Sequence, residues 1–252
     1  MERGNMKDFN TFTNVNAKES FPPLGGGLGR GGNKKFAFTL AEVLITLGVI
    51  GVVAAMTMPT LIQNYQKHET ISRLKHFSSV LQQAYSMFEK DVLDGNTVHL
   101  YGNEVRALNG EDAEKFFNVY LRPYVKTVKV EVQNKGVFFV LANGSAGYLQ
   151  RDSFAETSSC AKSTSTAVSC TRIAFCPEQK YCKDIDSKAS YMNALDTRHV
   201  LAFATSGKPV SPSNKANINH DYLKNACQGT MKHYCAKLIE FDGWKISDDY
   251  PW

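Results

Sequence analysis

Residues 38–58 read FTLAEVLITLGVIGVVAAMTM, an apolar run of membrane length interrupted by one charge, Glu42. As a helix its 21 residues extend about 31 Å, the thickness of a bilayer's hydrocarbon core. A carboxylate inside such a span costs several kcal/mol on insertion scales, which points to a partner or a task for Glu42. The plainer reading places Glu42, one turn inside the run, among lipid headgroups.

The run is preceded by a polar, Gly-rich leader, residues 1–37, ending Lys34-Lys35-Phe36-Ala37. Its Phe21-Pro22-Pro23 and the glycines that follow cannot build a core, so the leader is expected to be disordered. Gly29-Arg30-Gly31-Gly32 lacks both a preceding strand and a Gly-Lys-Ser/Thr, so it is no phosphate loop. Met6 is an alternative start that leaves the rest unchanged. The leader holds six Lys/Arg against three acids and carries +3 of the formal +5 charge, so residues 38–252 are near +2. That balance gives no electrostatic argument for nucleic acid.

A secretory signal peptide has a shorter apolar core than this one, although Val53-Ala54-Ala55 offers small residues for a cut. A plain uncleaved anchor accounts for the length and, through the positive-inside rule, for Lys34 and Lys35. It leaves Phe-Thr-Leu-Ala-Glu at the boundary unexplained.

That boundary resembles the N-terminal signature of type IV pilins and type II secretion pseudopilins: a basic leader ending in a small residue, then Phe-Thr-Leu-x-Glu and an apolar helix. The resemblance implies cleavage between Ala37 and Phe38 by a prepilin peptidase, and methylation of the new amino group of Phe38. It implies that Glu42 neutralises that amino group on a neighbouring subunit during assembly. The family usually has Gly before the cut, where this chain has Ala37, another small residue. The implied partners are the prepilin peptidase, other subunits, an inner-membrane assembly platform and, before assembly, membrane lipid. The implied location is the cytoplasmic (inner) membrane, with the leader cytoplasmic and the head outside, and later a surface or periplasmic filament.

Past Pro59 the helical period persists. Leu61, Ile62, Tyr65, Ile71, Leu74, Phe77, Leu81, Tyr85, Phe88 and Val92 recur every three or four positions between polar residues. One helix over 38–93 is expected, apolar all round in 38–58 and amphipathic in 59–93. Pro59 removes a backbone donor and is expected to bend it, and the resemblance adds Gly51 as a second point of curvature. Gly48 and Gly51 also suit close helix packing in a membrane.

Residues 94–252 read as one globular, β-rich head. Residues 111–124 form a short helix or turn. Val128, Val130 and Val132 alternate with Lys129 and Glu131, and Asn134-Lys135-Gly136 turns the chain into a second strand over 137–141. Residues 199–205 read as a strand, and residues 238–241 and 244–246 as a hairpin across Asp242-Gly243. The fold class is therefore α+β, a long helix packed on a small antiparallel sheet, pilin-like in the resembling family.

Cys160, Cys170, Cys176, Cys182, Cys227 and Cys235 all lie in the last 93 residues. An even number confined to an exported head argues for disulfides stapling its C-terminal region. Fifteen pairings exist by simple combinatorics. Cys227 with Cys235 is favoured because both flank the final strand region, and the other four are read as stapling a long polar loop over 153–188. Zinc is the rival, with His199, His220 and His233 at hand, but no Cys-x2-Cys spacing occurs. No metal or cofactor is assigned. Asp184, Asp186, Asp242, Asp248 and Asp249 offer oxygens to Ca²⁺, but a solvated acidic loop is the simpler reading. Asn143-Gly144-Ser145 fits a glycosylation sequon. No hydrolase, metalloprotease or nucleotide motif is present, and a Cys176, His199, Asn193 set is no more than composition provides, so the chain reads as no enzyme. The expected function is a structural subunit, cleaved, methylated and assembled into a pilus-like or pseudopilus filament. The alternative is a monomeric, membrane-anchored extracytoplasmic binding protein.

Overall fold

The computed structural model describes residues 39–100, 109–151, 171–188, 191–212 and 218–252. Ala37, Phe38, Cys160 and Cys170 lie outside the described residues. The chain divides into two units, Met1–Val52 and Val53–Trp252, and one helix contributes to both.

That helix, α1 (Leu40–Leu93), continues without a break through Gly51 and Pro59. It is long and apolar enough to cross a membrane: its most apolar 18-residue window has a mean hydropathy of 2.2, and no part of that window is buried. Within the second unit α1 changes character. Thr70, Leu74, Phe77, Ser78, Leu81, Ala84 and Phe88 are buried, three or four residues apart as one helical face requires. The α+β class and the long apolar helix thus agree with the sequence reading.

Five antiparallel strands follow one another across the sheet in chain order: β1 (Thr127–Val132), β2 (Gly136–Leu141), β3 (Ala146–Arg151), β4 (Thr171–Cys176) and β5 (Leu201–Ala204). One face, with Val137, Phe139, Leu149, Ile173, Phe175 and Phe203, packs under α1 and α2 (Gly110–Tyr120). Phe77 is the hub of this face, its ring 5.1 Å from Phe175, 5.6 Å from Phe203 and 6.2 Å from Phe139. The opposite face, with Phe138, Val140, Tyr148 and Ala174, is covered by Cys182 of α3 (Gln179–Lys183) together with Ile185, Leu195 and Val200. Burial on both faces makes β2 apolar at all six positions, where a one-sided strand alternates.

The β1–β2 hairpin and β5 lie where the residue pattern places them. Two expectations are corrected. First, the stretch read as a polar loop over 153–188 contains β4 and α3 among its described residues. Second, there is no hairpin at Asp242-Gly243: α4 (His220–Gln228) and α5 (Cys235–Phe241) close the head instead, so it is less β-rich than expected. Asp242-Gly243 terminates α5. The Gly243 N–H donates to the Glu240 carbonyl at 3.0 Å and the Trp244 N–H to the Ile239 carbonyl at 2.8 Å, with Gly243 at φ 72°. This paired pattern is a Schellman cap, which demands the same left-handed glycine that a tight hairpin does.

Gly207, at φ 77°, lies where the turn after β5 meets α1; a Cβ there would come within 2.4 Å of the Gln82 backbone nitrogen. The close approach lets buried Ser78 Oγ donate to the Gly207 carbonyl at 2.7 Å.

Candidate functional site

Glu42 is the only charged residue between positions 38 and 66. Thr39 caps the start of α1, and the two side chains satisfy each other's backbone. Thr39 Oγ1 accepts from the Glu42 N–H at 3.3 Å, while Glu42 Oε2 accepts from the Thr39 N–H at 2.9 Å and from its hydroxyl at 3.0 Å. Thr-Leu-Ala-Glu is therefore a capping box, and the helix N-terminus favours the negative charge it receives. Both bonds fall on Oε2, which leaves Oε1 as acceptor for a further donor.

The hydroxyls of this stretch turn inward. Thr46 donates to the Val43 carbonyl, Thr57 to Val53 and Thr60 to Thr57, at 2.9 to 3.0 Å. Outside Glu42 the surface over residues 40–58 is a continuous apolar cylinder, with Leu44, Ile45, Leu47, Ile50, Val52, Val53 and Met56 all more than half exposed.

In the head, the two described disulfides are Cys176–Cys182 and Cys227–Cys235. The second is the favoured pair, but it ties α4 to the first residue of α5 rather than flanking a strand. Cys176 has no thiol to offer a catalytic set, and Asn193 sits in a single 3-10 turn, Tyr191–Ala194.

The Cys176–Cys182 loop forms one wall of a cleft of about 450 Å³, lined by Glu69 and Arg73 of α1 and by Pro177, Tyr181, His199 and Trp252. Arg73 is committed within it, Nη2 to Glu69 Oε1 at 2.6 Å and Nη1 to the Pro177 carbonyl at 2.5 Å. His199 stacks on Tyr181 with ring centroids 4.0 Å apart, and its Nδ1 lies 3.1 Å from Asp196 Oδ2. Asp196 Oδ1 in turn accepts the backbone N–H groups of Arg198, His199 and Val200.

The three histidines considered for zinc are not brought together. His199 faces Asp196 and Tyr181, His220 lies 3.4 Å from Asp242, and His233 packs against Tyr234. Among the described residues no group of three or more His, Cys, Asp or Glu side chains is arranged to hold a metal ion.

Three of the five aspartates considered for Ca²⁺, Asp186, Asp242 and Asp249, have protein partners. Asp249 accepts from Lys224 Nζ at 2.8 Å, and that contact, with Ser247, pulls its pKa down to about 2. Asp242 accepts from Ser247 Oγ at 3.0 Å. Asp186 ties the β1–β2 turn to the segment after α3, taking the Lys135 N–H and the Tyr148 hydroxyl, each at 2.8 Å, on Oδ1. Burial raises its pKa, but these donors outweigh burial and hold it below the usual carboxylate value. Asn143 accepts from the Ser145 N–H and hydroxyl, so the sequon residues form the β2–β3 turn. The sequence reading missed the capping box, although Thr39-x-x-Glu42 is its standard spacing, and the cleft, whose lining comes from five separate stretches of chain.

No curated protein and no solved structure matches the chain. The model of one family, described as a family of unknown function (DUF6613), matches residues 60–252, from just after Pro59 to the C-terminus. With that much of its length matched, the chain belongs to this family of unknown function.

Proposed function

We propose that the chain is the precursor of a pilin-like filament subunit. A prepilin peptidase removes residues 1–37 at Ala37-Phe38 and methylates the Phe38 amino group. The mature chain waits in the inner membrane, and assembly transfers the apolar part of α1 from lipid to a core of like helices, giving a pilus-like or pseudopilus filament. One observation carries this reading: a long apolar helix face that no described residue covers, with a single carboxylate fixed at its start.

The residues supply the assembly chemistry. Apolar helix packed on apolar helix, with Gly48 and Gly51 permitting close approach, gives cohesion without direction. Glu42 supplies the direction. Its Oε1 accepts from a neighbour's Phe38 ammonium, and the low dielectric inside the bundle makes that attraction far stronger than in water, fixing axial register. The capping box holds the carboxylate in one rotamer while it waits.

Intact mass and N-terminal sequencing of protein recovered from its host's membranes test the reading. The expected chain begins at N-methyl-Phe38; one retaining Lys34-Lys35, or beginning near Met56, overturns it. Glu42→Ala is expected to insert and be cleaved normally while the sheared filament fraction falls at least tenfold.

A second reading, a monomeric anchored binding protein, is favoured by the cleft between Arg73 and Trp252. Such a protein keeps its leader, stays in the membrane fraction after shearing, and leaves Glu42→Ala without effect on fractionation.

A further inference from the structure

β1 lies at the edge of the sheet, paired on one side with β2, and no strand among the described residues pairs with its other side. The Gln133 N–H donates to the Gly136 carbonyl at 2.8 Å, which sets the phase of the ladder. Gln133, Glu131 and Lys129 turn their backbone groups toward β2, while Val130 and Val132 turn theirs outward. Edge strands of this kind are usually blunted by proline, by charges or by a bulge, since an open ladder is a template for another strand. β1 has no proline and no net charge, and its one irregularity, a register shift between Thr127 and Lys129, leaves the ladder regular from Lys129 to Val132. Val128, Val130 and Val132 are 68, 39 and 42% exposed, and its two charges are opposite: Lys129 Nζ lies 2.9 Å from Glu131 Oε2.

We propose that β1 is a self-pairing edge, through which a second copy of this chain adds its own β1 antiparallel and joins two sheets into one of ten strands. The occupant is selected by charge. The segment Val128-Lys129-Val130-Glu131-Val132 reads as its own complement about Val130. A two-fold axis at Val130 places each Lys129 opposite Glu131 of the second copy, within the part of β1 whose register is regular. It also makes the central Val130 pair a hydrogen-bonded one, as their outward backbone groups require. Centring on Val132 opposes Lys129 to Lys135, and centring on Val128 leaves both charges without an opposite, so one register is favoured. The axis runs normal to the sheet, so α1 lies on the same side of it in both copies and runs in opposite directions. The pair therefore joins two copies of opposite polarity. This surface goes beyond the subunit reading and does not rest on it.

The test uses the full chain in detergent. Val130→Cys, at the axis, is expected to give a disulfide-linked dimer as the main product of mild oxidation. In that background Lys129→Glu sets acid against acid and is expected to lower the yield at least tenfold, and adding Glu131→Lys to restore it. Val98→Cys, 71% exposed elsewhere on the head, controls for chance collision. No dimer from Val130→Cys, a yield indifferent to Lys129→Glu, failure of the double charge reversal to restore it, or equal dimer from Val98→Cys overturns the proposal. Sedimentation of the unaltered chain in density-matched detergent checks the same point without a new thiol: a monomer at all concentrations counts against it.

Discussion

The two stretches of α1 are both rich in apolar side chains and use them in opposite ways. Over residues 40–66 nearly every side chain is exposed and the apolar residues surround the axis. Over residues 70–88 they are confined to one face, and that face is closed by the sheet. Hydrophobicity alone therefore does not make a core. Where it is patterned, the chain supplies its own cover; where it is continuous, no described residue supplies one.

The sharpest break between the stretches is expected on truncation. Phe77→Ala empties the hub of the aromatic cluster and should cost the head about 3–5 kcal/mol, followed by thermal unfolding of the full chain in detergent. Ile50→Ala should move the same transition by less than about 0.5 kcal/mol. Equal losses would erase the distinction.

Replacing Cys227 and Cys235 by Ser releases a closure spanning a sequence separation of 8 and should lower head stability by about 2.5 kcal/mol on loop entropy. The helicity of 40–66 should survive, as amide exchange would report. Ser78→Ala removes the bond to the Gly207 carbonyl and is expected to cost about 1 kcal/mol, whereas Thr57→Ala, whose hydroxyl bonds only within its own helix, should cost close to nothing.

The smallest effect is that of acid. Asp186 has a folded pKa below its ordinary 3.8, so its contribution is complete above that value and is lost as pH falls through the folded one. Head stability should therefore drop below about pH 4, and less so in Asp186→Asn, as thermal unfolding across pH would report.

What could be read in advance follows the same division. Residues 38–93, the β1–β2 hairpin and β5 announce themselves by period and turn residues, and Cys227 with Cys235 by proximity in the chain. β3 and β4 do not. Ala146-Gly147-Tyr148-Leu149 is packed on both faces, so it shows no alternation, and Gly147 is required because a Cβ would meet the Phe139 ring at 2.2 Å. Asp242-Gly243 misleads because one left-handed glycine serves a helix cap and a hairpin equally well. The head cleft is invisible in sequence because Glu69, Gly144, Tyr181, His199 and Trp252 meet only after folding.

The sheet also has its strands side by side in the order of the chain. Each strand, as it emerges from the ribosome, finds the edge it needs already made. Both described disulfides are equally local, closing across sequence separations of 6 and 8. The strand ladder can thus grow in step with synthesis, one strand at a time, and no strand waits for a partner not yet made.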